Sequence, residues 1–176
     1  MISIMLQWLD IFDGAPIRKV TKGRPVFRQG DRVLSMYLVR SGMVALERPM
    51  TDGIALTLHI ANADMALAEA SLFADTYHCD AVARTDAEIA SLPRATFLAQ
   101  IRDYPDAALS LIETNAKQVQ AQRARIEILR LRRVADRLDA WLDLYGDPKK
   151  GEWINVADQI GVSAPALYRE LAKRRV

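Results

Sequence analysis

Four consecutive residues, Tyr77-His78-Cys79-Asp80, hold the chain's one cysteine and one of its two histidines. A thiolate beside an imidazole can ligate haem or respond to redox change. An iron–sulfur cluster draws on about four cysteines, so a single thiolate cannot hold one. Neighbours in a strand point to opposite faces, which places His78 and Cys79 badly for sharing one metal ion. The plainer expectation is that Cys79 packs as a small hydrophobe and His78 stays at the surface or in a hydrogen bond; no haem or metal is expected. His78 with Asp80 could support acid–base chemistry, but no nucleophile, metal set or glycine-rich phosphate loop accompanies them. No catalytic residue is assigned, and the chain does not read as an enzyme. His59 falls in a strand-like run with no identifiable partner.

A second kind of chemistry sits at the far end, where the charge changes sign. Up to Ala116 there are 11 Lys and Arg against 14 Asp and Glu; from Lys117 onward there are 13 against 8. A mildly acidic front and a basic rear suggest that the rear meets a polyanion, although a solvated arginine-rich helix face gives the same count. Within that rear, Val156–Ile160 reads as the end of one helix and Ser163 as the cap of another. Ala157 is small where two helices would cross, and Gly161 suits a turn that needs positive φ. Val156, Ile160, Val162 and Leu167 supply a miniature apolar core, while Pro165 is tolerated in a first helical turn. The pattern predicts a helix-turn-helix, with a plain helical hairpin as the alternative. In the first case the second helix enters the major groove by its N-terminal part. Ser163, Ala164 and Ala166 would then face the groove, and Arg169 could bond a guanine through two donors. Tyr168 could face DNA or pack inward. Lys173, Arg174 and Arg175 would hold phosphates, which set affinity without reading sequence.

The remaining elements must position these groups. Ile4, Met5, Trp8, Leu9 and Phe12 recur at helical spacing until Gly14 and Pro16 break the run. Short β-like runs follow to about Leu92. Pro25–Arg28 ends at Gly30-Asp31, Met36–Arg40 should meet Val44–Glu47 across a Ser41-Gly42 hairpin, and Ala55–Ile60 follows Asp52-Gly53. Strands at this spacing predict a sandwich or roll. Pro93 suits the first turn of a helix running to about Asp103. Pro105 then opens a tract without glycine or proline until Gly146. Ile112, Asn115, Val119, Gln122, Ile126 and Leu129 recur in steps of three and four, the spacing of a two-helix seam with two polar interruptions. The stripe could pack on its own domain, but a parallel homodimer is the favoured reading. A break is expected near Arg130–Arg133. Val134, Leu138, Trp141, Leu142 and Tyr145 then begin a second amphipathic stripe. No apolar run approaches the roughly 20 residues of a membrane span. The start lacks the features of a secretory signal, and a lone cysteine suits a reducing cytoplasm.

A β-roll, a long helix and a helix-turn-helix, in that order, resemble the CRP/FNR family of bacterial transcription regulators. Phe27-Arg28-Gln29-Gly30-Asp31, Leu38-Val39-Arg40-Ser41-Gly42-Met43-Val44, Ala68-Glu69-Ala70-Ser71-Leu72-Phe73 and Ala157–Leu171 carry the similarity, which runs from Gly23 onward. The resemblance implies an α+β protein with a jelly-roll-like sensor over 1–104, a dimerisation helix over 105–131 and a helix-turn-helix over 132–176. It implies double-stranded DNA, a second copy of the chain and RNA polymerase as partners. It also implies an effector pocket drawing on Glu69, Ser71, Cys79, Asp80 and Gln122. Nucleotide binders of the family use Gly-Glu-Leu and then Arg-Ser. Here Ala68 stands for the glycine, Glu69 remains, and Cys79-Asp80 replace the pair that holds the cyclic phosphate. Losing a charged partner at a partly desolvated site costs about 2–5 kcal/mol, so no cyclic AMP binding of the usual kind is expected. The family's β-hairpin wing would follow the second helix, but the sequence stops at Val176; whether this is a natural short member or a piece of something longer, without the wing it is expected to bind DNA more weakly and with strong salt dependence. The competing reading is a degenerate sensor or protein-interaction module that no longer binds DNA.

Overall fold

A computed structural model of the chain describes residues 7–50, 55–67, 69–149 and 151–174. Within the anticipated first helix, Trp8–Phe12 forms a single 3₁₀ segment, with Trp8, Ile11 and Phe12 buried. Ile4 and Met5 lie outside the described residues. The segment is too short for a stable α-helix, and packing holds it: Phe12 lies 5.7 Å from Phe97, centroid to centroid.

Eight strands follow: β1 (Ile17–Val20), β2 (Pro25–Phe27), β3 (Ser35–Ser41), β4 (Val44–Pro49), β5 (Ala55–Ala61), β6 (Ala66–Leu67), β7 (Asp80–Ala83) and β8 (Ala87–Pro93). They form two four-stranded sheets, ordered β1-β8-β3-β6 and β2-β7-β4-β5, with every pairing antiparallel. This is a double-sheet roll, and inward residues of both sheets meet in one core that includes Leu38, Val39, Val44, Leu67 and Ile89.

The Ser41-Gly42 turn departs from expectation. β3 and β4 do not pair as a hairpin; they belong to different sheets. Gly42, at φ +82°, marks the corner where the chain changes sheets, and a Cβ there would collide with the Asp86 carbonyl oxygen and the Ala87 backbone. A glycine between two apolar runs signals positive φ, which a sheet-to-sheet corner needs as much as a tight hairpin does. β4 and β5 do pair, from Val44↔Ala61 to Pro49↔Ala55; Asp52-Gly53 lie outside the described residues.

Pro93 closes β8 and flanks helix α1 (Arg94–Asp103) instead of lying within its first turn. Helix α2 (Pro105–Arg130) runs 26 residues, about 39 Å at 1.5 Å per residue. Helices α3 (Val134–Tyr145), α4 (Trp153–Gln159) and α5 (Ala164–Lys173) complete the chain. The fold is α+β. It divides into two compact units inside α2, Met1–Ile112 and Glu113–Val176. The second unit has its own core of Ile128, Leu138, Trp141, Val156, Ala157, Ile160 and Leu167. Among the described residues no helix is long and apolar enough to cross a membrane.

Candidate nucleic-acid interface and effector pocket

The turn between α4 and α5 is built by local chemistry. Gly161 adopts φ +68°, and a Cβ there would stand 2.6 Å from Leu129 Cδ2. The Val162 N–H returns to the Ala157 carbonyl at 2.9 Å, closing the turn over the small side chain that tolerates it. Ser163 caps α5, its hydroxyl accepting from the Ala166 N–H at 3.4 Å, and Pro165 occupies the first turn. Val156, Ala157, Ile160 and Leu167 are buried, with Val162, Ala164 and Leu171 packed beside them.

Helical geometry then sorts the residues of α5. Ala164, Leu167 and Leu171 share one face by their spacing of three and four, and that face meets the core. Ala164 therefore does not belong with the outward set in which the sequence pattern placed it. Ser163, Pro165, Tyr168, Arg169, Ala172 and Lys173 are exposed, and Ala166 is half-buried. Pro165 and Ala172, which the sequence pattern did not assign, lie on this outer side, as helical phase measured from Leu167 gives it. Arg169 donates from Nε to the Pro165 carbonyl at 3.3 Å, which leans the guanidinium toward the N-terminal end of α5. Lys173 pairs with Glu170 at 3.5 Å at the surface.

Arg174, assigned to phosphate contact, is committed elsewhere. It donates to Asp139 Oδ1 at 2.6 Å and to the Ala135 carbonyl at 3.1 Å, both on α3, and Glu170 stands 3.7 Å away. A planar guanidinium that satisfies a carboxylate and a helix carbonyl locks the C-terminal end of α5 to α3. Arg175 lies outside the described residues.

In the first unit, Glu69 and Ser71 occupy a short 3₁₀ segment. Glu69 Oε2 is buried with no hydrogen-bond partner among the described residues. Burial pushes the Glu69 carboxyl above its ordinary range, against a smaller opposing effect of a backbone hydrogen bond. The Ser71 hydroxyl and His78 Nδ1 share a hydrogen bond of 3.0 Å. Cys79 is buried and His78 exposed, so the adjacent side chains diverge. Burial raises the Cys79 thiol, with Arg48 opposing and Asp80 and Glu69 reinforcing. Asp80 accepts from the Gln29 N–H at 2.7 Å. Only the register reveals Arg48: Glu47 of β4 pairs with Asp80, the first residue of β7, so Arg48 is one step further along β4 and Cys79 immediately precedes β7. Ala68 lies outside the described residues, and Gln122 is exposed on the part of α2 that belongs to the second unit.

A pocket for a cyclic nucleotide thus fits at one end only. An orphaned buried carboxylate oxygen is ready to accept from a ribose hydroxyl. At the phosphate end stand a buried thiol and a carboxylate already bonded to backbone, with the nearby cation, Arg48, on an exposed residue.

Along α2, Ile112, Val119 and Ile126 are 62%, 48% and 53% exposed, although each is a large apolar residue. Asn115 is half-buried and Gln122 exposed. Leu129, the last residue of the anticipated seam, is half-buried and lies under the Gly161 turn. It packs within its own chain, because the end of α2 is also a wall of the second unit's core.

An antiparallel double-sheet roll, a long helix with an apolar stripe and a capped helix-turn-helix thus follow one another along the chain. The chain belongs to the CRP/FNR family, through a cyclic nucleotide-binding domain whose model matches residues 17–104, half of the chain. It is 31% identical over 122 residues to the cyclic AMP receptor protein of Thermus thermophilus, an alignment covering 69% of this chain and 56% of that relative. The chain thus spans little more than half the length of that curated protein. Among solved structures, the c-di-GMP-responsive global regulator CLP of Xanthomonas campestris superposes with a TM-score of 0.71 at 21% identity, covering 96% of this chain and 90% of that one. FixK2 of Bradyrhizobium japonicum superposes with a TM-score of 0.73 at 14% identity, covering 90% and 83%. At these identities the structural matches speak for the fold. CLP is a global regulator that links cell–cell signalling to virulence gene expression.

Proposed function

We propose that the chain acts as a homodimeric transcription regulator that binds double-stranded DNA through α5 and takes no cyclic AMP by the family's usual contacts. The observation that carries this reading is α5 itself: a Ser163-capped helix fastened to a private core, with Tyr168, Arg169 and Lys173 exposed on its outer side. Inserted in a major groove, such a helix puts Arg169 near base edges and Lys173 near phosphate. In a dimer joined along α2, an event in the roll alters packing along the seam, and the two α5 helices gain or lose a separation of one DNA turn, about 34 Å. RNA polymerase is the further partner this reading entails.

Gel-shift titration against genomic fragments at two salt concentrations tests it. Retardation at low salt that weakens steeply at high salt is the expected outcome, since phosphate neutralisation releases counterions. No retardation even at low salt would favour a sensor or protein-interaction module that has lost DNA binding. Once a binding fragment is in hand, Arg169→Ala should cost about 1–3 kcal/mol on that fragment and relax the preference at one base pair. An equal loss on every fragment would instead make Arg169 a phosphate contact.

The effector half of the proposal makes its own prediction. Titration calorimetry with cyclic AMP or cyclic GMP should give no micromolar binding, because among the described residues no buried cation stands where the arginine would, and losing a charged contact costs about 2–5 kcal/mol. Micromolar heats from either nucleotide overturn it.

A further inference from the structure

The last carbonyls of a helix lack full partners within its own turns. At the end of α4 the Asp158 carbonyl accepts a backbone N–H, that of Gly161 at 3.3 Å, and among the described residues those of Gln159, Ile160 and Gly161 accept none. Here four consecutive carbonyls, those of Asp158, Gln159, Ile160 and Gly161, each receive a guanidinium N–H. Arg125 on α2 donates from Nη2 to Asp158 at 3.1 Å and from Nε to Gln159 at 3.2 Å. Arg137 on α3 donates from Nη1 to Ile160 at 3.2 Å, with Gly161 at 3.5 Å. The other edge of Arg137 is also used, its Nε donating at 2.7 Å to the carbonyl of Leu131, just past the end of α2. The guanidinium of Arg137 therefore spans two chain breaks at once, the one between α2 and α3 and the one between α4 and α5. Two cations at the negative end of α4 are also favoured by its dipole.

We propose that Arg125 and Arg137 form a clamp that makes the helix-turn-helix move with the end of α2 as one body, so that they are positioning residues for α5. The clamp rests on the DNA-binding reading for its purpose, but not for its mechanics. A long helix transmits a rotation or a shift to a reading head only if the joint beyond it is stiff. Between α2 and α3 the covalent joint is three residues, Leu131 to Arg133. Arginine suits the task because its planar fork bonds in two directions from one fixed plane, whereas a lysine ammonium offers one compact point charge. With the clamp closed, displacement along α2 reaches Ser163 and Arg169 undiminished. With it open, the packing of Ile128 against the core is what still ties the end of α2 to α5, and α5 samples a wider range of orientations.

The test is a distance distribution between spin labels on Lys117→Cys and Ala172→Cys in the full chain, both exposed positions of the second unit. Labelled protomers are diluted into unlabelled ones, and Cys79, 1% exposed, is shielded from the reagent. The parent should give one narrow distance. Arg125→Ala with Arg137→Ala should broaden it at least two-fold, with helicity by circular dichroism retained. Arg137→Lys should broaden it too, which a role through charge alone would not produce. If the double variant loses helicity, Arg125→Ala alone decides: broadening supports the clamp. An unchanged narrow distribution in folded variants overturns it. On a fragment that the parent retards, the double variant should also lose about ten-fold in affinity, the scale of a coupling residue that touches no ligand. If the parent retards no DNA, the DNA-binding reading fails while the distance distributions still judge the clamp.

Discussion

Val119→Asp is expected to convert a dimer into monomers without unfolding either protomer. Ile112, Val119 and Ile126 stand seven residues apart on one stripe of α2, and each is about half or more exposed in the single chain. Burying the exposed half of each would contribute roughly 0.7–1.5 kcal/mol apiece, and a parallel partner would cover all three at once. A carboxylate at the middle position would face its own copy across the seam, and burying an uncompensated charge costs several kcal/mol. Removing one apolar contact in addition, the substitution should raise the dimer dissociation constant by at least about a hundred-fold, 1.4 kcal/mol being a factor of ten. Sedimentation equilibrium at micromolar protein reads this directly, and unchanged helicity shows that an exposed site was altered. A dimer mass that persists in Val119→Asp would remove α2 as the interface. Loss of DNA retardation should accompany the loss of mass, because a monomer presents only one α5.

Leu167→Ala should have the largest effect on stability of any single truncation in α5. Leu167 is 0% exposed and, among the described residues, sits in a core of seven buried ones. Truncating a buried leucine costs roughly 2–5 kcal/mol, more where the site cannot collapse. Its neighbours Ala157 and Ala164 are already too small to fill the void. Since the two units have separate cores, the loss should be confined to the second. Hydrogen exchange should show protection vanishing from α3, α4 and α5 while β3, β4 and β8 keep theirs. A loss below about 1 kcal/mol would mean that Leu167 is not the keystone its burial suggests. Simultaneous loss of protection in both units would show that they unfold as one.

The helix-turn-helix was legible because its information is local. Ser163 caps, Gly161 takes positive φ and Val156, Ile160 and Leu167 repeat at helical spacing, all within about a dozen residues. The break between Arg130 and Val134 was likewise marked by a change of stripe. Ala164 was misread for a reason of phase: it was grouped with its exposed neighbours, though its spacing from Leu167 turns it inward. Arg48 and the Arg125–Arg137 clamp left no pattern at all, since each partner lies far along the chain.

What the sequence by itself determined was the kind and order of elements, the turns that separate them and the stripe of α2, because periodicity and backbone preference act over a few residues. Only the tertiary structure decided which strand pairs with which and where each long side chain ends. A glycine at Gly42 permits a hairpin and a sheet-to-sheet corner equally well, and the choice falls to β8 and β6, which claim the edges of β3. An arginine carries about 2 kcal/mol of rotamer freedom and reaches several partners from one Cα. Arg174 bonds α3 and Arg125 bonds the end of α4 because folding brings those carbonyls and carboxylates within reach. The basic rear of the chain is therefore partly a set of internal ties, and fewer of its cations face outward than their number suggests.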